Sequence, residues 1–406
     1  MIRRTILRSA PLMLAAATLL SACSDLPSEP GARNPTSPLL TVTPTNAFVS
    51  IDGGPTHACG VTSGGQAYCW GRNPFGQLGD GSYLDASVAV AVDQSGGLSF
   101  SQVTAGLVHT CAITSSSGAP YCWGHNADGR VGDSTAMNIR PTPVAVYGGH
   151  TFASITAGEA HTCGLTSGGQ AYCWGANDYG QLGNNTARFS RIPVAVQQPV
   201  GVTFSQITAG KWHTCALSSG QAYCWGYGGF GALGGGFSFG DSIPQAVSQP
   251  GGVTFTSINT GYEHTCALSS GGAAYCWGKN GSSQLGDSTT TTQYTPVAAR
   301  MPSGVTYSEI ATAGLSTCAI ANTTNVAYCW GLGSSGQLGN GSIASSRLPV
   351  AVSMPSGVTF SAIRAESMGM CALDGIGQTW CWGKNYYGQL GDNSTTDRSS
   401  PVAVVH

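Results

Sequence analysis

Charge is scarce in this chain. Only 8% of its 406 residues are Asp, Glu, Lys or Arg, and they nearly cancel to a net charge of −2, whereas typical soluble domains are about 25% charged. No basic stripe exists, so the electrostatic footprint of a nucleic-acid binder is missing. The chain also lacks a long hydrophobic run: the apolar stretch Pro11–Leu20 is too short to span a bilayer as a mature helix. Helical periodicity is missing from the body of the sequence. So are a nucleophile-elbow glycine pattern, a phosphate-cradling loop that opens a helix, and a His-Asp-Ser grouping outside the repeating template. These absences argue against an enzyme and give no sign of a cofactor.

Cysteine, by contrast, is abundant and regular. Fourteen of the fifteen cysteines fall into seven pairs that recur about every 52 residues. The pairs are Cys59 with Cys69, Cys111 with Cys122, Cys163 with Cys173, Cys215 with Cys224, Cys266 with Cys276, Cys318 with Cys329, and Cys371 with Cys381. Each second cysteine is followed at once by Trp-Gly, at Trp70, Trp123, Trp174, Trp225, Trp277, Trp330 and Trp382. Such self-similarity is the mark of a repeat architecture. Within residues 151–196, Thr151–Ala157, His161–Thr166, Gln170–Trp174 and Pro193–Val196 each read as strands. A glycine-bearing hairpin, Ser167-Gly168-Gly169, joins the middle two. Four short antiparallel strands per unit, seven times over, predict an all-β, seven-bladed β-propeller.

The hairpin also predicts the cysteine chemistry. The loop between paired cysteines lengthens with their spacing, so the two can face each other across neighbouring strands within disulfide reach. The competing reading is zinc, but zinc motifs usually set cysteines two to four residues apart. Seven disulfides imply an oxidising, exported location.

The odd cysteine, Cys23, has its own setting. Arg3 and Arg4 precede the apolar stretch, and Leu20-Ser21-Ala22-Cys23 follows it, the layout of a secretory signal. The tetrad resembles the lipobox of bacterial lipoproteins. That resemblance implies residues 1–22 as a signal peptide and Cys23 as an acylated N-terminus anchored in a membrane. Ser24 leans the destination towards the outer membrane or cell surface. Residues 23–45 read as a flexible tether, and 46–406 as the propeller. The run Leu39–Val42 is a candidate extra strand where the ring closes.

The repeating pattern Ala-Gly-x-x-His-Thr-Cys-Ala-Leu, then Ala-Tyr-Cys-Trp-Gly-x-Asn-x-x-Gly-Gln-Leu-Gly-Asp, resembles the regulator-of-chromosome-condensation repeat in a cysteine-decorated bacterial form. It extends over residues 46–406. The family fold is a seven-bladed propeller, and its members have unrelated functions. These include nucleotide exchange on a small GTPase with chromatin binding, inhibition of β-lactamases by a secreted bacterial protein, and ultraviolet reception in plants. Fold alone therefore transfers no function.

Residues repeated in every blade are expected to build the blade. On that ground the tryptophans pack between blades, and His57, His109, His161, His213 and His264 tie each blade's own inner turn. Ser316 and Gly369 break the histidine ring. The residues after Gln-Leu-Gly (Asp80, Asp133, Asn184, Asp287, Asn340, Asp392) form turns, because one carboxylate per blade is too few for calcium.

Residues that break the symmetry are the candidates for binding. Antiparallel topology gathers the turn between the first and second strands and the long loop between the third and fourth on one face. That face holds Lys211, Trp212, Tyr262, Glu263, Phe75, Tyr179, Phe230, Tyr386 and Tyr387, with Pro74, Asp178, Tyr227, Phe237 and Phe239 nearby in sequence. An aromatic, charge-poor loop face suits a protein or glycan ligand. The expectation is a monomeric, exported, lipid-anchored binding or adhesion scaffold without nucleic-acid partners. The alternatives are an exchange-factor-like regulator and an exported enzyme of unknown chemistry.

Overall fold

The computed structural model describes residues 47–366 and 368–405. These form seven four-stranded antiparallel sheets, each built from one repeat in the order first, second, third, fourth strand. The expected signal peptide, the lipidation site expected at Cys23, the expected tether and the strand expected at Leu39–Val42 all lie outside the described residues. Among the described residues no helix is long and apolar enough to cross a membrane.

Blade three shows how sequence becomes strand. His161–Leu165 and Ala171–Gly175 pair as the central hairpin, flanked by Ser154–Ala157 and Ser190–Ala195. The first strand is shorter than its alternation suggests. Phe152 leaves the ladder, buries its ring, and donates its backbone N–H to the Gly118 carbonyl of the preceding blade (2.9 Å). The fourth strand starts earlier than Pro193, because Ser190 pairs with Gly175 beyond a bulge.

In every blade the two cysteines stand opposite each other in the central hairpin and form a disulfide, as the spacing predicts. Cys59 bonds to Cys69, Cys111 to Cys122, Cys163 to Cys173 and Cys215 to Cys224. Round the rest of the ring Cys266 bonds to Cys276, Cys318 to Cys329 and Cys371 to Cys381. The Cα atoms lie 4.0–4.1 Å apart, closer than the about 4.5 Å of an ordinary non-hydrogen-bonded pair. The bond draws the two strands together at that point. With all fourteen sulfurs paired to one another, none is left to ligate zinc.

The core lies between blades. Each Trp-Gly tryptophan is fully buried and packs with residues of the preceding blade, as Trp123 does with Val61, Leu78 and Val92. In blades two to seven its indole N–H donates to a backbone carbonyl in the preceding blade's glycine-bounded loop. Trp123 donates to Gln77 at 2.9 Å and Trp225 to Gln181 at 3.0 Å. Glycine is required there. A Cβ on Gly79 would lie 2.6 Å from the Trp123 indole nitrogen, and its φ of +72° is left-handed.

The histidines are structural, though their partners differ from the expectation. Each buried imidazole reaches the next blade, where Nε2 meets a threonine hydroxyl: His57–Thr110, His109–Thr162, His161–Thr214, His213–Thr265 and His264–Thr317, at 2.8–3.1 Å. Each threonine donates its only proton to the loop carbonyl that also receives the indole, as Thr110 does to Gln77 (2.8 Å). The histidine must therefore be the donor, which fixes the Nε2–H tautomer and leaves Nδ1 as a bare acceptor. Histidine and threonine are lost together. Ser316 faces a blade with Met370 in the threonine's place, and Gly369 faces a blade with Ala58. The ring closes there by apolar packing of Phe48, Ile51 and Trp70 against Leu373, Leu390 and Val404.

This strut gives a double-mutant cycle. Thr214→Val leaves the His161 N–H buried without an acceptor and is expected to cost about 1–3 kcal/mol. His161→Phe with Thr214→Val removes both partners and should cost less than the two single changes added together. Urea midpoints of the four proteins measure the coupling; additive costs would mean the bond contributes nothing.

Candidate functional site

The loop-bearing face is built round the propeller axis. The first strand of every blade lines the axis, and its last residues with the following turn enclose a cavity of about 120 Å³. The turns approach so closely that a Cβ on Gly158 would lie 2.4 Å from the Gly210 carbonyl oxygen of the next blade. Only a residue without a side chain allows that spacing.

The inner wall follows a sequence rule. The residue seven before each first cysteine, and its cross-strand partner, is Asp52, Thr104, Thr156, Thr208, Asn259, Ala311 or Arg364 in blade order. Most of these side chains bridge to the following blade. Asp52 Oδ2 accepts from the Thr104 hydroxyl (2.8 Å) and the Ala105 N–H (3.0 Å). Thr104 Oγ1 accepts from the Ala157 N–H (2.9 Å). Asn259 Oδ1 accepts from both the hydroxyl and the N–H of Thr312, at 2.6 and 3.0 Å. Charge enters this ring only at Asp52 and Arg364, which ring closure makes neighbours. Arg364 pairs with Glu309 of the preceding blade. Burial raises the Asp52 carboxyl above its ordinary range, against the pull of Thr104, Ala105 and Arg364. Burial opposes the Arg364 charge, yet the Glu309 and Asp52 carboxylates hold the guanidinium above its ordinary range.

The rim carries a second pair of charges. Glu159 and Lys211, on the first turns of blades three and four, lie 3.6 Å apart. Burial raises the Glu159 carboxyl, and the neighbouring Lys211 partly offsets it. The Lys211 ammonium sits 4.1 Å from the Trp212 ring centroid and 5.1 Å from that of Tyr262, both within cation–π range. Trp212, Tyr179 and Tyr227 form a triangle with centroids 5.1–5.3 Å apart. Lys211, Trp212, Tyr262 and Tyr179 therefore form one cluster across blades three to five.

The other symmetry-breaking residues stand in separate groups. Phe230 is exposed at φ 59°, a left-handed conformation unusual for an aromatic residue. Lys279 lies over its ring at 4.8 Å and pairs with Glu263 at 2.6 Å. Tyr386 packs edge-on to Tyr387 (4.9 Å), and Arg72 covers Tyr387 at 4.7 Å. Phe75 meets His125 at 4.7 Å, and Phe237 stacks on Phe239 at 4.1 Å. Asp80, Asp287 and Asp392 accept from hydroxyls and backbone N–H groups two residues on, as turn residues do. No group of three or more metal-ligating side chains occurs among the described residues.

The fold matches a known family. An RCC1-like domain model matches residues 23–369 and a regulator of chromosome condensation (RCC1) repeat model matches residues 377–406. The chain belongs to the RCC1-like family. It is 29% identical over 363 residues to the ultraviolet-B receptor UVR8 of Arabidopsis thaliana, covering 89% of this chain and 82% of that one. It is 30% identical over 246 residues to the human E3 ubiquitin-protein ligase HERC2, 60% of this chain but 5% of that protein. Among solved structures, human WBSCR16 superposes with TM-score 0.75 at 21% identity, covering 84% of this chain and 94% of that one. Prp20p of Saccharomyces cerevisiae, studied with its binding to Gsp1p and histones, superposes with TM-score 0.74 at 20% identity over 83% and 85%. At these identities the structural likenesses carry the fold alone. An RCC1-like propeller of this kind is a scaffold or a regulator.

Sequence reasoning found the aromatic and basic part of that face and missed Asp52, Glu159, Glu309 and Arg364. A signal for the wall was present. Counting back seven from each first cysteine isolates one acid and one base among five uncharged residues.

Proposed function

We propose that this RCC1-like propeller is an exported, lipid-anchored binding scaffold that holds a protein or glycan partner on its loop-bearing face. The observation that carries the reading is the Tyr179–Trp212–Tyr227 triangle with Lys211 and Tyr262 beside it. Rigid aromatic rings with a basic partner are the side chains that dominate binding energies at interfaces. Tyr179 is 43% exposed, so a partner has apolar surface left to cover. The seven disulfides and the Leu-Ser-Ala-Cys23 tetrad support export and anchoring. The binding of Prp20p to Gsp1p and histones supports protein binding as a use of such a propeller.

The test is recovery of partners from cell envelopes by chemical cross-linking to the full chain. The double variant Tyr179→Ala with Trp212→Ala is expected to weaken capture at least about thirty-fold, the equivalent of a hot-spot loss of roughly 2 kcal/mol. Equal capture by the wild type and the variant would remove the cluster from the interface. Intact mass of the same material should show an acylated Cys23; an unmodified Met1 would remove the anchor.

A further inference from the structure

The axial cavity has a chemistry of its own, apart from the aromatic triangle. Its charges come as couples of opposite sign. Asp52 and Arg364 stand on the wall where blade one meets blade seven, and Glu159 and Lys211 stand on the rim of blades three and four. Going round a seven-bladed ring, the two couples are three blades apart, so they face each other across the axis. Arg364 donates through Nη1 to Glu309 and to the Ile363 carbonyl. Its remaining N–H groups have no partner among the described residues, although the side chain is 40% exposed within the wall. Tyr262 adds an aromatic ring at the rim beside Lys211.

This arrangement discriminates between ligand classes. A simple anion drawn to Arg364 meets the Asp52 and Glu309 carboxylates, and one drawn to Lys211 meets Glu159. A simple cation meets the reverse. A neutral polyol meets no like charge at all. Of two neighbouring hydroxyls, one gives its proton to a carboxylate while the other accepts from the adjacent cation, so each couple satisfies a vicinal diol. An aromatic ring beside such groups suits the C–H face of a sugar, as apolar bodies with polar edges pair elsewhere. Size agrees. A single water needs roughly 10–15 Å³ of such space, so 120 Å³ holds about ten water-sized atoms, one pyranose ring rather than a chain. The walls are preorganised, because the Asp52 carboxylate and the threonines are fixed by bonds from blade to blade, which reduces the ordering cost of binding.

We infer that the axial cavity is a binding site for one neutral sugar residue, held by Asp52 and Arg364 on one wall and by Glu159, Lys211 and Tyr262 at the rim. It goes beyond the partner surface proposed above and needs neither export nor the aromatic triangle.

The test is equilibrium binding of glucose, galactose, mannose and N-acetylglucosamine to the full chain. The protein is kept in a detergent without a sugar headgroup, and acetate, ammonium and glycine serve as charged comparators. At least one neutral sugar is expected to bind. Arg364→Gln and Lys211→Gln should each weaken it about ten-fold or more, the loss expected for a hydrogen bond to a charged group. Val200→Ser, at a fully exposed position remote from the cavity, should leave the affinity unchanged. Thermal melting and blocked thiols confirm that each variant is folded. If Arg364→Gln fails to fold because Glu309 loses its partner, Lys211→Gln and Tyr262→Ala decide. Binding of none of the four sugars, binding indifferent to the cavity variants, or binding only of charged comparators would each overturn the assignment. Sugar binding without capture of an envelope protein would leave this site standing and remove the protein arm of the partner reading.

Discussion

Complete reduction is expected to unfold the propeller. Each disulfide closes a loop of nine to eleven residues, worth about 2–3 kcal/mol in the chain-entropy account. Seven such clips amount to roughly 15–20 kcal/mol, more than the 5–15 kcal/mol by which folded domains usually exceed their unfolded chains. The sulfurs are inaccessible, since every paired cysteine is 0–1% exposed. Mild reductant should therefore act slowly on the folded protein, through its openings, whereas reductant with urea should act at once and prevent refolding. Because each clip stays within one hairpin, the pair Cys215→Ser with Cys224→Ser should cost only about 2–3 kcal/mol and leave the other six bridges oxidised. Urea denaturation with mass-spectrometric thiol counting separates these cases. A fully reduced chain that keeps its native midpoint would show that inter-blade packing alone holds the fold.

Such clips suit the composition. With so few charged side chains and so much glycine, the chain has little electrostatic means of fixing each hairpin and a large backbone entropy to overcome. The fold was legible for that reason: Cys-to-Cys spacing, Trp-Gly and the loop glycines each report a local constraint that repeats seven times. The binding face was legible only in part. Lys211, Trp212 and Tyr262 stand out because the matching positions of blades one, two and six hold only Pro55, Thr56, Leu107, Val108, Gly314 and Leu315. Asp52 and Arg364 lie at opposite ends of the propeller sequence and become neighbours only when the ring closes, so no local pattern joins them. The histidine partner was missed for the same reason. The hydrogen bond runs from one repeat to the next, and a single repeat read alone shows only a buried polar residue in need of a partner. Reading the positions as a ring recovers it: wherever the histidine is replaced, the following repeat lacks threonine.

Stability is expected to fall steeply as the pH drops below 6.5. Burial holds His57, His161 and His264 at about 3 and His213 at about 4, against 6.5 for the free side chain, and His109 well below 6.5. Between those values and 6.5 the unfolded chain binds protons that the folded chain refuses. The five histidines therefore contribute their full stabilisation above about pH 6.5, and it is lost as the pH falls towards 4. Each imidazole costs about 1.4 kcal/mol per pH unit in that window, so five cost about 7 kcal/mol per unit. Asp52, Asp85 and Glu159, whose carboxyls burial raises, act in the opposite direction, but they are three groups against the five strut histidines, and His125, which burial also lowers, sides with the five. General charge repulsion is weak in a chain with 16 basic and 18 acidic residues. The acid limb thus reports the struts between blades. Melting temperature measured from pH 8 to pH 4 should be flat at first and then drop. His161→Gln, which keeps an N–H donor towards Thr214 but cannot titrate, should make the drop shallower by about 1.4 kcal/mol per pH unit. An unchanged slope in that variant would remove His161 from the groups that set the acid limb.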